Sequence, residues 1–97
     1  MSRTEPMTAQ EALVLCSQIA VCVDEGRFEL SRHAVDQSIL REITTDEMRQ
    51  ALADSEVLEN YPADKYGPSC LVLGFTRAGR SLHIHCTHPA RDPMKII

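Results

Sequence analysis

Aromatic residues are scarce in this sequence of 97 residues, which contains no tryptophan, two tyrosines and two phenylalanines. Proteins that hold single-stranded nucleic acid usually stack its bases on aromatic side chains, so the composition excludes a platform of that kind. Basic residues are also in the minority, and the formal net charge is -4. Because tight, sequence-independent binding to nucleic acid needs many contacts from Lys or Arg to phosphate, this charge favours a basic or neutral partner. A local basic patch of Arg77, Arg80 and Arg91 near strand ends can still bind nucleic acid despite the negative net charge.

Long apolar runs are absent too, since no stretch approaches the roughly 20 residues that a membrane-spanning helix needs. Met1 to Thr8 lacks the basic-then-apolar order of a signal peptide. We therefore expect a cytoplasmic protein. The four cysteines show no Cys-x-x-Cys spacing, and each lies in an apolar segment: Cys16, Cys22, Cys70 and Cys86. We expect them to be reduced thiols that pack as small hydrophobic residues.

The length of the chain allows one hydrophobic core. A hydrophobic fraction of 43% and a charged fraction of 25% are typical of globular proteins. We predict a single α+β domain over residues 1–97, with an additional N-terminal helix at residues 8–25.

Capping residues mark three helix starts. Thr8 with Glu11, and Thr44 with Glu47, match the capping box, in which each side chain bonds the main-chain N–H group of the other residue. Ser31 is a third N-cap candidate. The predicted helices cover residues 8–25, 31–41 and 44–53.

The first predicted helix has an apolar half, which we expect to pack on the sheet. This half includes Leu13. Val14 and Val21, seven residues apart, fall on the opposite, polar face. They mark a candidate contact surface for a partner protein or a second copy of the chain, although single exposed valines are common in monomers.

Pro and Gly separate four strand-like runs, and a short strand precedes the second helix. The predicted strands are 28–30, 57–61, 69–76, 81–87 and 94–97. The predicted fold class is α+β: an N-terminal helix, a short strand, two helices and then a three- to four-stranded antiparallel sheet.

A two-residue turn centred on Ala78 and Gly79 would set the register of the two middle strands. Gly74 would then lie directly opposite His83 and leave space beside it. The predicted core face carries Leu71, Leu73, Phe75, Leu82, Ile84 and Cys86. The predicted open face carries Cys70, Val72, Gly74, His83, His85 and Thr87.

His33, Gln37 and Arg41 recur every four residues and form one stripe on the second predicted helix. Imidazole exchanges protons near neutral pH, and guanidinium binds phosphate or carboxylate at two points. With His83 and His85 from the open sheet face, His33 and Arg41 are therefore the candidate catalytic residues of an acid/base reaction with an anion clamp. In the competing structural interpretation, His33 bonds main chain near its helix start, Arg41 pairs with a neighbouring acid, and the sheet histidines are merely solvated.

A metal site is the third interpretation. His83-Ile84-His85 places two imidazoles on one strand face, with His88 and Cys70 as further candidate zinc ligands. Because no recognisable spacing fixes a third ligand, we predict neither a metal nor another cofactor.

Six short motifs occur in a specific order between Phe28 and Ile97. They are SRHA at 31–34, REIT at 41–44, ENYP at 59–62, PSCL at 68–71, LHI at 82–84 and KII at 95–97. In this order they resemble the small bacterial domain-of-unknown-function family 4258. The first helix lies outside the resemblance.

Members of that family resemble the RelE-like and MqsR-like toxins and are often paired with a small zinc-finger antitoxin of the MqsA type. The resemblance implies a RelE-like compact domain, the toxin of a type II toxin-antitoxin system. It implies metal-independent RNA cleavage by a histidine acid/base pair, with an arginine holding the phosphate. By position it points to His33, Arg41 and His83, and its implied partners are the antitoxin and an RNA substrate. The competing class is a non-catalytic protein-binding module, including a homodimer.

Overall fold

The computed structural model describes residues 7–65 and 67–97. Residues 1–6, part of the segment compared above with a signal peptide, lie outside the described residues. Within the described ranges no helix is long and apolar enough to cross a bilayer. The elements, in chain order, are α1 (Ala9–Asp24), β1 (Phe28–Leu30), α2 (Arg32–Leu40), α3 (Thr45–Ala53), β2 (Ser55–Tyr61), β3 (Ser69–Phe75), β4 (Ser81–Thr87) and β5 (Met94–Ile96).

The three helices begin where the capping residues predict. Thr8 Oγ1 accepts from the Glu11 N–H group, and Glu11 Oε1 accepts from the Thr8 N–H group, both at 3.1 Å. Thr44 and Glu47 form the same reciprocal pair at 3.0 Å. The Ser31 hydroxyl accepts from an amide of the first turn of α2 at 3.0 Å. These bonds satisfy donors that have no partner inside a helix, so the predicted starts are confirmed.

The C-terminus of α2 is a Schellman motif built without glycine. The Ile43 N–H group donates to the Ser38 oxygen at 2.8 Å, and the Glu42 N–H group donates to the Ile39 oxygen at 3.2 Å. Glu42 has a φ of 54°, a left-handed conformation that favours glycine. Arg41 is the C-cap residue, so it sits at the point where the chain turns from α2 toward α3.

The sheet has five strands in the order β1-β5-β4-β3-β2. The α+β class and the order of helices and strands are confirmed. The sheet is wider than predicted because β1 joins it, parallel to β5, with Phe28 opposite Met94. The other pairings are antiparallel. The Ser31 N–H group extends the contact by donating to the Ile96 oxygen at 2.8 Å.

The predicted register of the β3–β4 hairpin is wrong by one residue. Phe75 pairs with Ser81, and Leu73 pairs with His83. The connection has three residues instead of two. The Gly79 N–H group donates to the Thr76 oxygen at 2.9 Å, and Gly79 has a φ of 87°. This is a type I turn followed by a left-handed residue, a geometry that glycine permits.

A shift of one residue moves every side chain of one strand to the other face. The core face carries Cys70, Val72, Gly74, Leu82, Ile84 and Cys86, and the opposite face carries Leu71, Leu73, Phe75, His83 and His85. The predicted directions are therefore correct for β4 and inverted for β3. Phe75, predicted to lie in the core, is exposed.

The core lies between the sheet and the helices α1 and α3, and α1 packs mainly on α3 and β2. Gly74 does not lie opposite His83, as predicted. It pairs with Leu82 on the core face, where a Cβ atom would lie 2.0 Å from the carbonyl oxygen of Ala51 in α3. Leu13, predicted on the buried half of α1, is exposed. Val14 and Val21 are about half exposed, as the predicted contact surface requires.

Candidate active site

A cleft of about 630 Å³ lies between α2 and β4. His33 and Arg41 come from α2 and its C-cap, and His83 and His85 come from β4; all four line this cleft. The structure thus brings together every residue that the sequence singled out as a catalytic candidate. Gln37, from the same helical stripe, lies among them. Apolar side chains complete the walls: Ile43, Met48, Leu71, Leu82, Ile84 and Ile96.

The cleft exists because β5 is short. It pairs with β4 at Cys86 and Ile96, and the Ile97 N–H group donates to the His85 oxygen at 2.8 Å. Within the described part of the chain, residues 81–84 have no strand beside them on the side away from β3. The cleft follows this free edge of β4, and α2 supplies the facing wall.

Three of the four side chains are free to meet a ligand. His33, Arg41 and His83 are exposed. Across residues 7–65 and 67–97, none of these three side chains forms a hydrogen bond or an ion pair. The bonds expected by the structural interpretation, from His33 to main chain and from Arg41 to a neighbouring acid, do not occur there.

His85 is held by a chain of hydrogen bonds. Its Nε2 atom lies 2.9 Å from Ser69 Oγ, and that hydroxyl donates to Asp64 Oδ2 at 2.8 Å. The same carboxylate oxygen is 3.7 Å from Nε2, and the Tyr61 ring makes an edge contact with the imidazole at 5.5 Å between ring centres. Ser69 is buried, and the Asp64 side chain is 9% exposed. Only His85 among the four candidates is anchored in this way.

Sequence reasoning missed Ser69 and Asp64. In the structure, Ser69 pairs with Thr87 and lies diagonally across from His85 on the same face of the sheet. The predicted register placed these two residues on opposite faces. A three-residue turn closed by Gly79 was the signal that would have brought them together.

Arg80 and Arg91, two members of the predicted basic patch, are engaged within the protein. The Arg80 guanidinium donates to the Glu42 main-chain oxygen at 2.8 Å and lies 3.4 Å from Glu47 Oε2. Arg91 donates to Glu29 Oε1 at 3.1 Å and to the Pro93 oxygen at 2.6 Å. Arg41 is the arginine on the cleft wall that has no such bond among the described residues.

The suggested metal ligands do not assemble. In the described residues, no group of three or more His, Cys, Asp or Glu side chains is arranged to hold a metal ion. Cys70 points into the core, with its Sγ atom 4.0 Å from that of Cys86. His88 Nε2 lies 2.8 Å from Asn60 Oδ1. The four cysteines are free thiols, as expected.

The model of one protein family, described as a domain of unknown function (DUF4258), matches residues 30–97. The chain belongs to the DUF4258 family. The matched region includes the four cleft residues as well as Ser69 and Asp64, whereas α1 precedes it. No curated protein and no solved structure matches the chain. For this DUF4258 domain, the chemistry of the cleft is therefore the guide to function.

Proposed function

We propose that this DUF4258 protein is the toxin of a type II toxin-antitoxin system and that it cleaves RNA by histidine acid/base chemistry. One observation carries the proposal: His33, His83, His85 and Arg41 line a single cleft. Histidines are the usual proton-transfer groups of enzymes that work near neutral pH. A phosphodiester is a substrate that needs both proton transfer and a cation.

The reaction needs a base, an acid and a cation. The base takes the proton of a 2'-hydroxyl, and that oxygen attacks the adjacent phosphorus. The acid gives a proton to the departing 5'-oxygen as its bond to phosphorus breaks. The products are a 2',3'-cyclic phosphate and a 5'-hydroxyl, so protons and atoms balance without a co-reactant. Each positioned proton-transfer group contributes about 10²- to 10⁴-fold in rate.

Arg41 holds the phosphate in this proposal. A guanidinium can donate two parallel hydrogen bonds to phosphate oxygens, and the Arg41 side chain has no competing partner among the described residues. The net charge of -4 agrees with a site of this kind, since a cleft that holds one phosphate does not require a basic surface. Cleavage should accordingly depend weakly on salt, because few counterions are released when one phosphate is bound.

The test measures cleavage of single-stranded RNA by the purified protein, together with growth arrest when the protein is expressed. Wild type should produce 2',3'-cyclic phosphate ends. Of His33→Gln and His83→Gln, at least one should lower the cleavage rate roughly 100-fold or more by loss of a proton-transfer group, and Arg41→Gln should also reduce the rate. His88→Gln and Arg77→Gln are matched controls, because these two residues do not line the cleft. A wild-type protein that cleaves no RNA, or cleft variants as active as the controls, would overturn the proposal.

A second candidate function, a protein-binding module, is favoured by the outer face of α1. Leu13, Val14 and Val21 are 69%, 50% and 51% exposed and line a second cavity together with Pro89. An antitoxin or a second copy of the chain would cover this apolar face. Val14→Asp should then abolish a complex seen by size-exclusion chromatography. RNA cleavage by the same variant would stay at the wild-type rate.

A further inference from the structure

We infer that Ser69 and Asp64 are positioning residues that hold His85 in one tautomer and make it the general base of the cleft. This inference rests on the proposed function and deepens it, because it assigns one of the two proton-transfer roles to a particular ring nitrogen. It concerns His85, the one catalytic candidate that hydrogen bonds hold in place among the described residues.

The hydrogen-bond pattern allows one arrangement of protons. An ionised carboxylate only accepts, so the single hydroxyl hydrogen of Ser69 points to Asp64 Oδ2, 2.8 Å away. Ser69 Oγ then offers only lone pairs to His85 Nε2, which lies 2.9 Å away. Nε2 must therefore carry the hydrogen of that bond. In the neutral ring the lone pair is left on Nδ1, which has no hydrogen-bond partner in the described ranges.

Ser69 itself is not a nucleophile. In a Ser-His-Asp triad the imidazole stands between the hydroxyl and the carboxylate. Here the hydroxyl stands between the carboxylate and the imidazole, and Ser69 has no exposed surface. The chain from Asp64 to Ser69 consequently orients His85 and does not activate an attacking oxygen.

The same arrangement places a carboxylate beside the ring that accepts the proton. When Nδ1 takes the proton of the 2'-hydroxyl, the ring becomes a cation, and Asp64 Oδ2 lies 3.7 Å from Nε2. The Asp64 side chain is 9% exposed, so the fold holds this carboxylate close to the ring. The edge contact with Tyr61 restricts rotation of the imidazole. The exposed His33 and His83 remain as candidates for the acid that protonates the 5'-oxygen.

The test is ¹⁵N NMR of the imidazole nitrogens in the full chain, recorded at a pH where the rings are neutral. We expect the Nε2–H tautomer for His85 in the wild type. Ser69→Ala removes the acceptor, and Asp64→Asn introduces an amide that can donate to Ser69. Both should lower the Nε2–H population. Asp36→Asn and Ser17→Ala, at exposed positions away from the cleft, should leave it unchanged.

Cleavage assays supply the second readout. Asp64→Asn and Ser69→Ala should lower kcat about 10-fold or more and change KM little, because the base is misplaced while Arg41 still holds the phosphate. If the wild-type spectrum shows His85 in the Nδ1–H form, the inference is wrong. This result needs no variant, so it decides the question even if a variant fails to fold. If the wild type cleaves RNA while His85 has the Nδ1–H form, only the positioning roles of Ser69 and Asp64 are wrong. If His85 has the Nε2–H form but the wild type cleaves no RNA, the proposed function is wrong and so is the role of His85 as a base.

Discussion

The guanidinium of Arg80 donates to the main-chain oxygen of Arg41 at 2.6 Å. It also donates to the next carbonyl oxygen, that of Glu42, at 2.8 Å. A cation at this place satisfies acceptors that are left free at a helix C-terminus and interacts favourably with the helix dipole. One side chain that precedes β4 thus holds the end of α2, next to the arginine proposed to bind phosphate.

Replacing Arg80 should therefore reduce both the stability of the protein and its cleavage of RNA. For Arg80→Met we expect the free energy of unfolding to fall by about 1.5 kcal/mol, the lower end of the range for bonds to charged groups, because the side chain is 40% exposed. RNA cleavage should also weaken, since Arg41 loses its support. Urea denaturation measures the first effect. Arg77→Met, in the same turn, should change stability by less than about 0.5 kcal/mol, and equal losses in the two variants would contradict the prediction.

Gly74 should not tolerate even one added carbon atom. A Cβ at this position would lie 2.0 Å from the Ala51 oxygen and 2.6 Å from the Ala51 carbonyl carbon, so α3 would have to move away from β3. Gly74→Ala should cost about 3 kcal/mol or more, or prevent folding. Gly79→Ala is the control, because nothing lies within 4 Å of a Cβ there and only the φ of 87° is unfavourable. Its cost should stay near 1–2 kcal/mol in thermal or urea unfolding. A Gly74→Ala protein as stable as Gly79→Ala would rule out the close approach.

Replacing Glu42 by glycine should relieve strain in the backbone. Its φ of 54° costs an L-residue about 1–2 kcal/mol, whereas glycine adopts this conformation freely but loses more backbone entropy on folding. We expect Glu42→Gly to raise the free energy of unfolding by up to about 1 kcal/mol relative to Glu42→Ala, which keeps the strain. Comparing these two variants removes the effect of the carboxylate. A Glu42→Ala protein that is the more stable of the two would show that the left-handed turn is unstrained.

His88 should make stability depend on pH on the acidic side of neutrality. Burial lowers the pKa of His88 below its ordinary value of 6.5, and a hydrogen bond from the imidazole to the Ser69 main chain offsets part of that effect. The folded protein therefore binds the proton less tightly than the unfolded chain. As pH falls through 6.5, the unfolded chain gains the proton first and stability drops, until pH passes the lower pKa of the folded state.

Urea unfolding across pH 5 to 8 measures this effect. His88→Gln should flatten the curve in that window. Stability lost near pH 4 belongs to carboxylates such as Glu11, whose pKa is lowered by its bond from the Thr8 N–H group. A His88→Gln curve parallel to that of the wild type would contradict the assignment.

The predictions that succeeded depend on neighbours in the chain. Thr8 reaches Glu11, and Thr44 reaches Glu47, within one helical turn, so the helix starts follow from local chemistry. The spacing of His33 and Arg41 places both on one stripe of α2 for the same reason. The alternation of β4 likewise identifies His83 and His85 as the pair that points away from the core.

The features that only the tertiary structure decided depend on contacts between segments that are distant in the sequence. One extra residue in the turn at Gly79 inverted β3, and no local pattern distinguishes the two registers when both faces of that strand are apolar. Arg80 meets Glu42 across 38 residues, and Ser69 meets His85 across 16. Such contacts follow from how helices and strands pack. The amino-acid sequence by itself therefore identified four polar side chains that line the cleft, whereas their arrangement and the anchoring of His85 required the folded chain.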